Sequence, residues 1–322
     1  MPSVAAGMST VLRSWQRRFK PGPDERALVL SVTNGTTRRL LRKMSEDSGF
    51  HLDEVPVDFP VAGEEALFEA LDRTLKPTTA LVVLDALPSV APFALPLDEA
   101  ARLCRERAPG AFVLADAAHG LLSVPLRLSG HHAAPIDALV AGCDAWLCGP
   151  RGTAVLHVAP EHHEWVEPLV ALDDSGSKLP DSFYCQGHFD FSSWLALDEA
   201  MAFWDLVGTD PARIYCQYLA LDAAEMLADA WGTGLGVPAE LLGPMALVEV
   251  PRLPDQQSDG DALMDLHATA ARRLLLQRGI DVPVKALSGR LYVRISAHIY
   301  NSIEDYEALR DAVLELRAGV QL

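Results

Sequence analysis

The sequence predicts an α/β protein: a large domain on a mixed, mostly parallel sheet, followed by a small C-terminal α/β domain. Three observations carry this. Between 26 and 160, short runs rich in Val, Leu and Ala alternate with helical stretches. Those runs are apolar without a break, which is the pattern of strands covered on both faces. Beyond about 232 the texture changes to strand, long helix, strand and helix, a unit of its own.

The elements follow in order. RALVLSV at 26–32 reads as a strand, and NGTT at 34–37 as the turn into a helix over 36–48, with Thr36 or Thr37 near its start. TTALVVLDAL at 78–87 is a strand followed by the helix LDEAARLCRERA. AFVLADAA, DALVAGCDAWL and TAVLHV complete the run of strands. SSWLALDEAMAFWDLVG (192–208) predicts one long amphipathic helix closed by Gly208, and a second begins at Thr209 with Pro211 in its first turn. MALVEV, a helix over 260–278, RLYVRISAHIY and EDYEALRDAVLELRAG form the β-α-β-α ending, with PDQQSDG at 254–260 as a surface loop. The division is placed at 1–208 and 209–322.

Size and charge narrow the function. At 322 residues and 49% hydrophobic the chain can bury large cores, and about 150 residues per domain gives two. A net charge of -17, from 27 basic and 44 acidic residues, argues against nucleic acid or an anionic membrane as partner, because phosphates are neutralised by clustered Lys and Arg. No apolar run approaches the ~20 residues of a membrane helix, and the arginine-punctuated front end does not read as a signal peptide, so a cytoplasmic location is expected. Cys104, Cys143, Cys148, Cys185 and Cys216 include no CxxC pair and are expected to be buried thiols.

In sheets of this kind ligands bind beyond the carboxyl ends of the strands. Asp116 and His119, in LADAAHG, follow the strand FVLA and can both face such a crevice. Taken alone, an isolated DxxH is more often a turn cap with a satisfied histidine. The turn GCDAWLCGPRG at 142–152 is punctuated by Gly149, Pro150 and Gly152, and residues 146–148 read as buried. Cys185, His188 and Asp190 in CQGHFD offer metal-ligand atoms without a recognised spacing, and no metal is expected. EHHE at 161–164 and the pair at 131–132 read as solvated faces.

Several of these stretches together resemble the class V aminotransferases of the fold-type-I pyridoxal phosphate (PLP) superfamily, most closely the isopenicillin N epimerase-like branch. FVLADAAHG resembles the family's strand ending in Asp-x-x-His, which implies that Asp116 pairs with the pyridine nitrogen of the cofactor. CDAWLCGPRGTAVLHV resembles the His-Lys-Trp-Leu-x-x-Pro-Lys-Gly segment, CQGHFDFSSWLALDEAMAFW the Gly-Thr-x-Asp segment and its helix, and VRISAHIYNSIEDYEALRDAV the closing Arg-Ile-Ser-x-x-x-Tyr-Asn segment. They span almost the whole chain in the family's order.

The departures are specific. In register the cofactor-linking lysine falls on Ala145 and its preceding histidine on Asp144; an alanine has no amine to offer. The Asn-Ala-Thr-Thr phosphate turn becomes SVAAGMS, with Ala5 and Ala6 in place of hydroxyl donors, and the sequence starts almost at that turn, ahead of which the family has a further segment. The threonine of Gly-Thr-x-Asp, which reaches a phosphate across the family's dimer interface, becomes His188. Of Lys20, Lys43, Lys76, Lys178 and Lys285, only Lys178 lies near a site-bordering segment, in a polar loop unsuited to a fixed, desolvated amine.

The expectation drawn from these changes is a scaffold with no covalent cofactor and no bound PLP. It would act by acid-base chemistry, or simply bind, with Asp116, His119, Asp144 and His188 as candidate proton carriers. Arg294, Asp190 and the position of Ala145 would line the site for a small carboxylate derived from an amino acid, with Arg294 as the carboxylate fork. The family's dimeric habit implies a homodimer, or a heterodimer in which this chain is an inactive subunit beside a PLP-dependent homologue.

Overall fold

The computed structural model describes residues 1–128, 134–170, 179–184, 190–251 and 261–318. The chain divides into two compact units, Met1–Pro56 with Phe68–Ser89 and Leu95–Thr209, and Val57–Leu67 with Val90–Ala94 and Asp210–Leu322.

The first unit is built on six strands. β1 (Arg26–Leu30), β2 (His51–Val55), β3 (Thr79–Asp85), β4 (Phe112–Ala117) and β5 (Ala138–Gly142) are parallel neighbours in the order β2-β1-β3-β4-β5. β6 (Ala154–Val158) closes the edge antiparallel to β5. Among its helices are α1 (Val4–Phe19) and α2 (Gly35–Ser48); α3 (Glu64–Thr74) begins in a segment of the second unit and ends in the first. α4 (Leu97–Arg107), α5 (Leu179–Tyr184), α6 (Ser192–Leu195) and α7 (Leu197–Val207) complete the set. The mixed, mostly parallel sheet is the one predicted from the unbroken apolar strands.

α1 forms where the sequence reading saw only a phosphate turn. Ser3 caps it, its hydroxyl accepting the Ala6 N–H at 3.1 Å, and Met8, Val11, Leu12 and Trp15 recur at helical spacing against the sheet. Gly7 lets the helix lie directly on β5: a Cβ there would come within 2.6 Å of Val140 Cγ1. Trp15 meets Phe50 edge-to-face at 5.9 Å between ring centroids. At α2 the cap is Asn34, whose side chain accepts the Thr36 N–H at 2.8 Å, so that Thr36 and Thr37 lie in the first turn. The helix predicted over 192–208 is broken at Ala196 into α6 and α7, and Gly208 (φ 86°) ends it as expected.

The second unit contains α8 (Thr209–Trp231) and an antiparallel sheet in the order β7-β9-β8: β7 (Met245–Glu249), β8 (Val284–Leu287) and β9 (Arg290–Ser296). α9 (Asp261–Gln277) and α10 (Ile303–Arg317) complete it. β8 is an addition to the predicted β-α-β-α order. It joins β9 through a two-residue turn with both residues left-handed, Ser288 at φ 46° and Gly289 at φ 73°, the geometry that matches the twist of paired strands. Leu227, Trp231, Leu247, Val293 and Leu275 are buried in this unit. Among the described residues no helix is long and apolar enough to cross a membrane. The expected loop at 254–260 and the histidines at 131–132 lie outside the described residues.

Candidate functional site

The strand order fixes where a ligand belongs. The chain leaves β1 toward β2 on one side and toward β3 on the other, so the crevice opens at the carboxyl ends of β1 and β3. The residues found there are polar at the ends of apolar strands. Thr33 follows β1, Asp85 ends β3, and Asp116 lies beside Asp85 on β4, the two being direct partners in the strand register.

Both carboxyls are buried, Asp85 at 3% exposure and Asp116 at 4%. The Thr33 hydroxyl bonds to Asp85 Oδ2, and Asp116 Oδ1 accepts the Ala118 N–H at 3.0 Å. Burial first, and then the charge of Asp116, push the Asp85 carboxyl well above the usual carboxylate range. Burial also raises Asp116, opposed by the Ala118 N–H. Asp116 thus does cap its turn, the commoner reading of the motif, while also standing at the crevice. His119 is half-buried and meets the buried Trp146 edge-to-face at 5.8 Å.

The turn after β5 is tied down by Gly149 N–H to Cys143 O at 2.8 Å and Cys148 N–H to Ala145 O at 3.1 Å. Gly149 is required by packing, since a Cβ would sit 2.7 Å from Leu197 Cδ2. Trp204 of α7 donates its indole N–H to Leu147 O at 2.8 Å, fixing the turn from outside. On this frame Ala145 is half-buried and Asp144 exposed. Cys148 is also exposed, unlike Cys104, Cys143 and Cys216, so one of the expected buried thiols is at the surface.

Of the remaining candidates, Asp190 belongs to the first unit and Arg294 to the second, and His188 lies outside the described residues. Asp190 is exposed, and its carboxylate accepts from the backbone N–H of Ser192 at 2.8 Å and from the Ser192 hydroxyl. That bonding, with the hydroxyl first, holds its carboxyl below the usual range; it is a local turn cap leading into α6. Arg294 stands on β9 of the second unit, half-buried and paired with Leu247 of β7. Burial and then the charge of Arg272 lower its guanidinium from its ordinary value. His188, Cys185 and Lys178 lie outside the described residues. Of the lysines of the first unit, Lys43 pairs with Asp47 at 2.9 Å on α2 and Lys76 lies 3.9 Å from Asp53 ahead of β3, both away from the carboxyl ends. Lys20 caps the far end of α1.

The motif at 161–164 is not simply solvated. His162 Nε2 lies 2.8 Å from Asp137 Oδ1, and His163 Nε2 bonds Val158 O at 2.9 Å. Asp137, Glu161 and His162 converge closely enough to suggest a cation. Yet Asp137 already receives Arg105 at 2.7 Å and the Val113 N–H at 2.6 Å, so its charge is balanced and the cluster pins the amino end of β4. Asp85 and Thr33 were not anticipated from the sequence. The available signal was TALVVLD, an apolar strand ending in an acid as FVLAD does.

A model of the aminotransferase class-V family matches residues 3–309. The chain is 29% identical to putative L-cysteine desulfhydrase 1 of Oryza sativa subsp. japonica, over 94% of this chain and 66% of that protein. It is 30% identical to isopenicillin N epimerase of Streptomyces clavuligerus, over 82% and 66%. The chain therefore spans just under two thirds of the length of these relatives. Among solved structures it resembles a lysine-to-alanine mutant of C-DES with glycine covalently linked to its PLP cofactor, with a TM-score of 0.76, 17% identity, and coverage of 98% of this chain and 80% of that one.

These likenesses correct the expectation that no PLP is bound. The family and the sequence relatives point to PLP. The donor set fits the group: Asp116 is a buried carboxylate at the carboxyl end of a central strand, held by a single backbone N–H, and an aromatic ring bearing a protonated nitrogen would balance its charge.

Proposed function

Because the chain belongs to the class V aminotransferase family, we propose that it holds PLP at the carboxyl end of the first unit's sheet without a covalent link to position 145, and acts on or binds a small carboxylate derived from an amino acid. The observation that carries this is Asp116, buried at 4% exposure at the end of β4 beside the strand switch point. Relatives named for L-cysteine and isopenicillin N support an amino-acid-derived substrate; the role of Arg294 as a carboxylate fork is carried from the sequence resemblance alone.

When bound, PLP supplies an electron sink for chemistry next to a substrate amine. The chain's own groups do the rest. Asp116 holds a proton on the ring nitrogen by keeping a negative charge against it in a low dielectric. Trp146 packs against the His119 ring and limits its motion. His119, with Asp144 at the exposed turn, is the candidate for moving a substrate proton. His188 is a further candidate proton carrier, and Asp190 a candidate for lining the substrate site, both carried from the sequence resemblance.

The test is incubation with PLP, reduction with borohydride and measurement of intact mass. The proposal predicts saturable binding with no mass fixed to the chain. A stable adduct on a lysine would overturn the unlinked mode.

A second reading, an inactive subunit paired with an active homologue, draws on a specific feature. Leu195 of α6 and Leu206 of α7 are 74% and 86% exposed, with Met201, Phe203 and Val207 also in solvent, an apolar face of the kind that seeks a partner. A second copy of this chain is the partner we favour, because the face needs no other component to be covered. Mass in solution separates the two: a homodimer supports self-pairing, and a monomer that associates only on co-expression with a PLP-dependent homologue supports the alternative.

A further inference from the structure

Asp85 plays no part in the chemistry above, yet it is as deeply buried as Asp116 and stands next to it across the sheet. In-register partners on parallel neighbouring strands are about 4.8 Å apart and point to the same face. Two full negative charges at that separation, both removed from water, are strongly disfavoured. Among the described residues neither carboxyl takes part in an ion pair; Asp85 meets the Thr33 hydroxyl, the Asn34 backbone N–H and the charge of Asp116, and Asp116 meets the Ala118 N–H. Among the described residues the pair therefore has hydrogen-bond donors but no cation.

We propose that Asp85 and Asp116 share one proton, carried by Asp85, which makes Asp85 a positioning residue that keeps Asp116 as the single anion facing the ligand's ring nitrogen. Asp85 is the carrier in the bare chain because burial and then the charge of Asp116 raise its carboxyl further than burial raises Asp116, and a ring's positive charge would add to this by favouring ionisation of the carboxyl it touches. The Thr33 hydroxyl donates to Asp85, a bond that favours the anion and is outweighed by burial and the charge of Asp116. The positioning role rests on the reading of Asp116 as partner of the ring nitrogen; the shared proton does not.

Infrared difference spectroscopy of the full chain without added cofactor tests the shared proton. A protonated carboxyl band is expected at neutral pH, disappearing as pH rises. Asp85→Asn should remove it. Asp116→Asn should keep it but move its loss to lower pH by roughly one unit or more, because the neighbouring charge is gone. Thr33→Val leaves both carboxyls in place, and should move the loss to higher pH by removing a hydrogen bond that favours the anion. No band at neutral pH, a band that survives Asp85→Asn, or a midpoint indifferent to both Asp116→Asn and Thr33→Val would overturn the pairing. The absorption of bound PLP then tests the role: Asp85→Asn should shift the pH midpoint of its spectrum while binding persists. An unshifted spectrum overturns the positioning role alone. Absent PLP binding by the unaltered chain, with the infrared pattern intact, removes the cofactor reading and that role while the shared proton stands.

Discussion

Removing a carboxylate from water costs several kcal/mol unless charge or hydrogen bonds compensate, and a group so placed keeps its proton to a higher pH. This has a consequence for stability. A carboxyl whose folded pKa lies above its unfolded value of 3.8 contributes stability that is full below that value and is lost as pH rises through the folded pKa. Both members of the Asp85/Asp116 pair are raised, so each withdraws stability as it ionises on the way from acid to alkaline pH. Denaturant unfolding across pH should therefore show the fold weakening on the alkaline side, and Asp85→Asn should flatten that decline; an unchanged profile would refute the assignment. Asp116 was legible in the sequence because an acid ending the apolar run FVLA has nowhere to go but the strand's end. Asp85 ends LVVL in the same way, but its meaning depends on β3 lying beside β4, which no local pattern encodes. Ala145 was legible only through register with the family, and Asp190 proved to be bonded to its own turn.

At the scale of elements, the strands and most helices follow from local chemistry, and the exceptions have physical causes. α1 was hidden because its first turn, VAAGM, is small and weakly patterned; its identity comes from packing, with Gly7 allowing contact with Val140. β8 was hidden because a four-residue strand carries little period, although Ser288-Gly289 marks the hairpin. The break at Ala196 separates α6, which follows the Asp190 turn, from α7, which is anchored to the turn holding Ala145. The anchor is the indole N–H of Trp204 on Leu147 O, in a buried setting. Trp204→Phe keeps most of the packing but leaves that carbonyl unpaired, at a cost of about 1–3 kcal/mol. Urea unfolding measures the loss, and a value near zero would show that α7 does not hold the turn.

At the scale of the whole molecule, charge and surface point in the same direction. A net charge of -17 is the basis for proposing small molecules and proteins, not nucleic acid or anionic membranes, as partners. The apolar face on α6 and α7 is the feature a charge argument could not reveal, because the same residues read equally well as core in an amphipathic pattern. If that face pairs two copies, Leu206→Glu should convert a dimer to a monomer by sedimentation, with the helical content retained; a dimer that persists would place the interface elsewhere. The central claim remains that a class V scaffold holds PLP through Asp116 although position 145 carries alanine. Equilibrium titration of PLP into the unaltered chain and into Asp116→Ala tests it most directly. The account predicts saturable binding by the first and at least about tenfold weaker binding by the second, the loss of one charge-assisted contact; binding that is absent from the unaltered chain, or indifferent to Asp116, would contradict it.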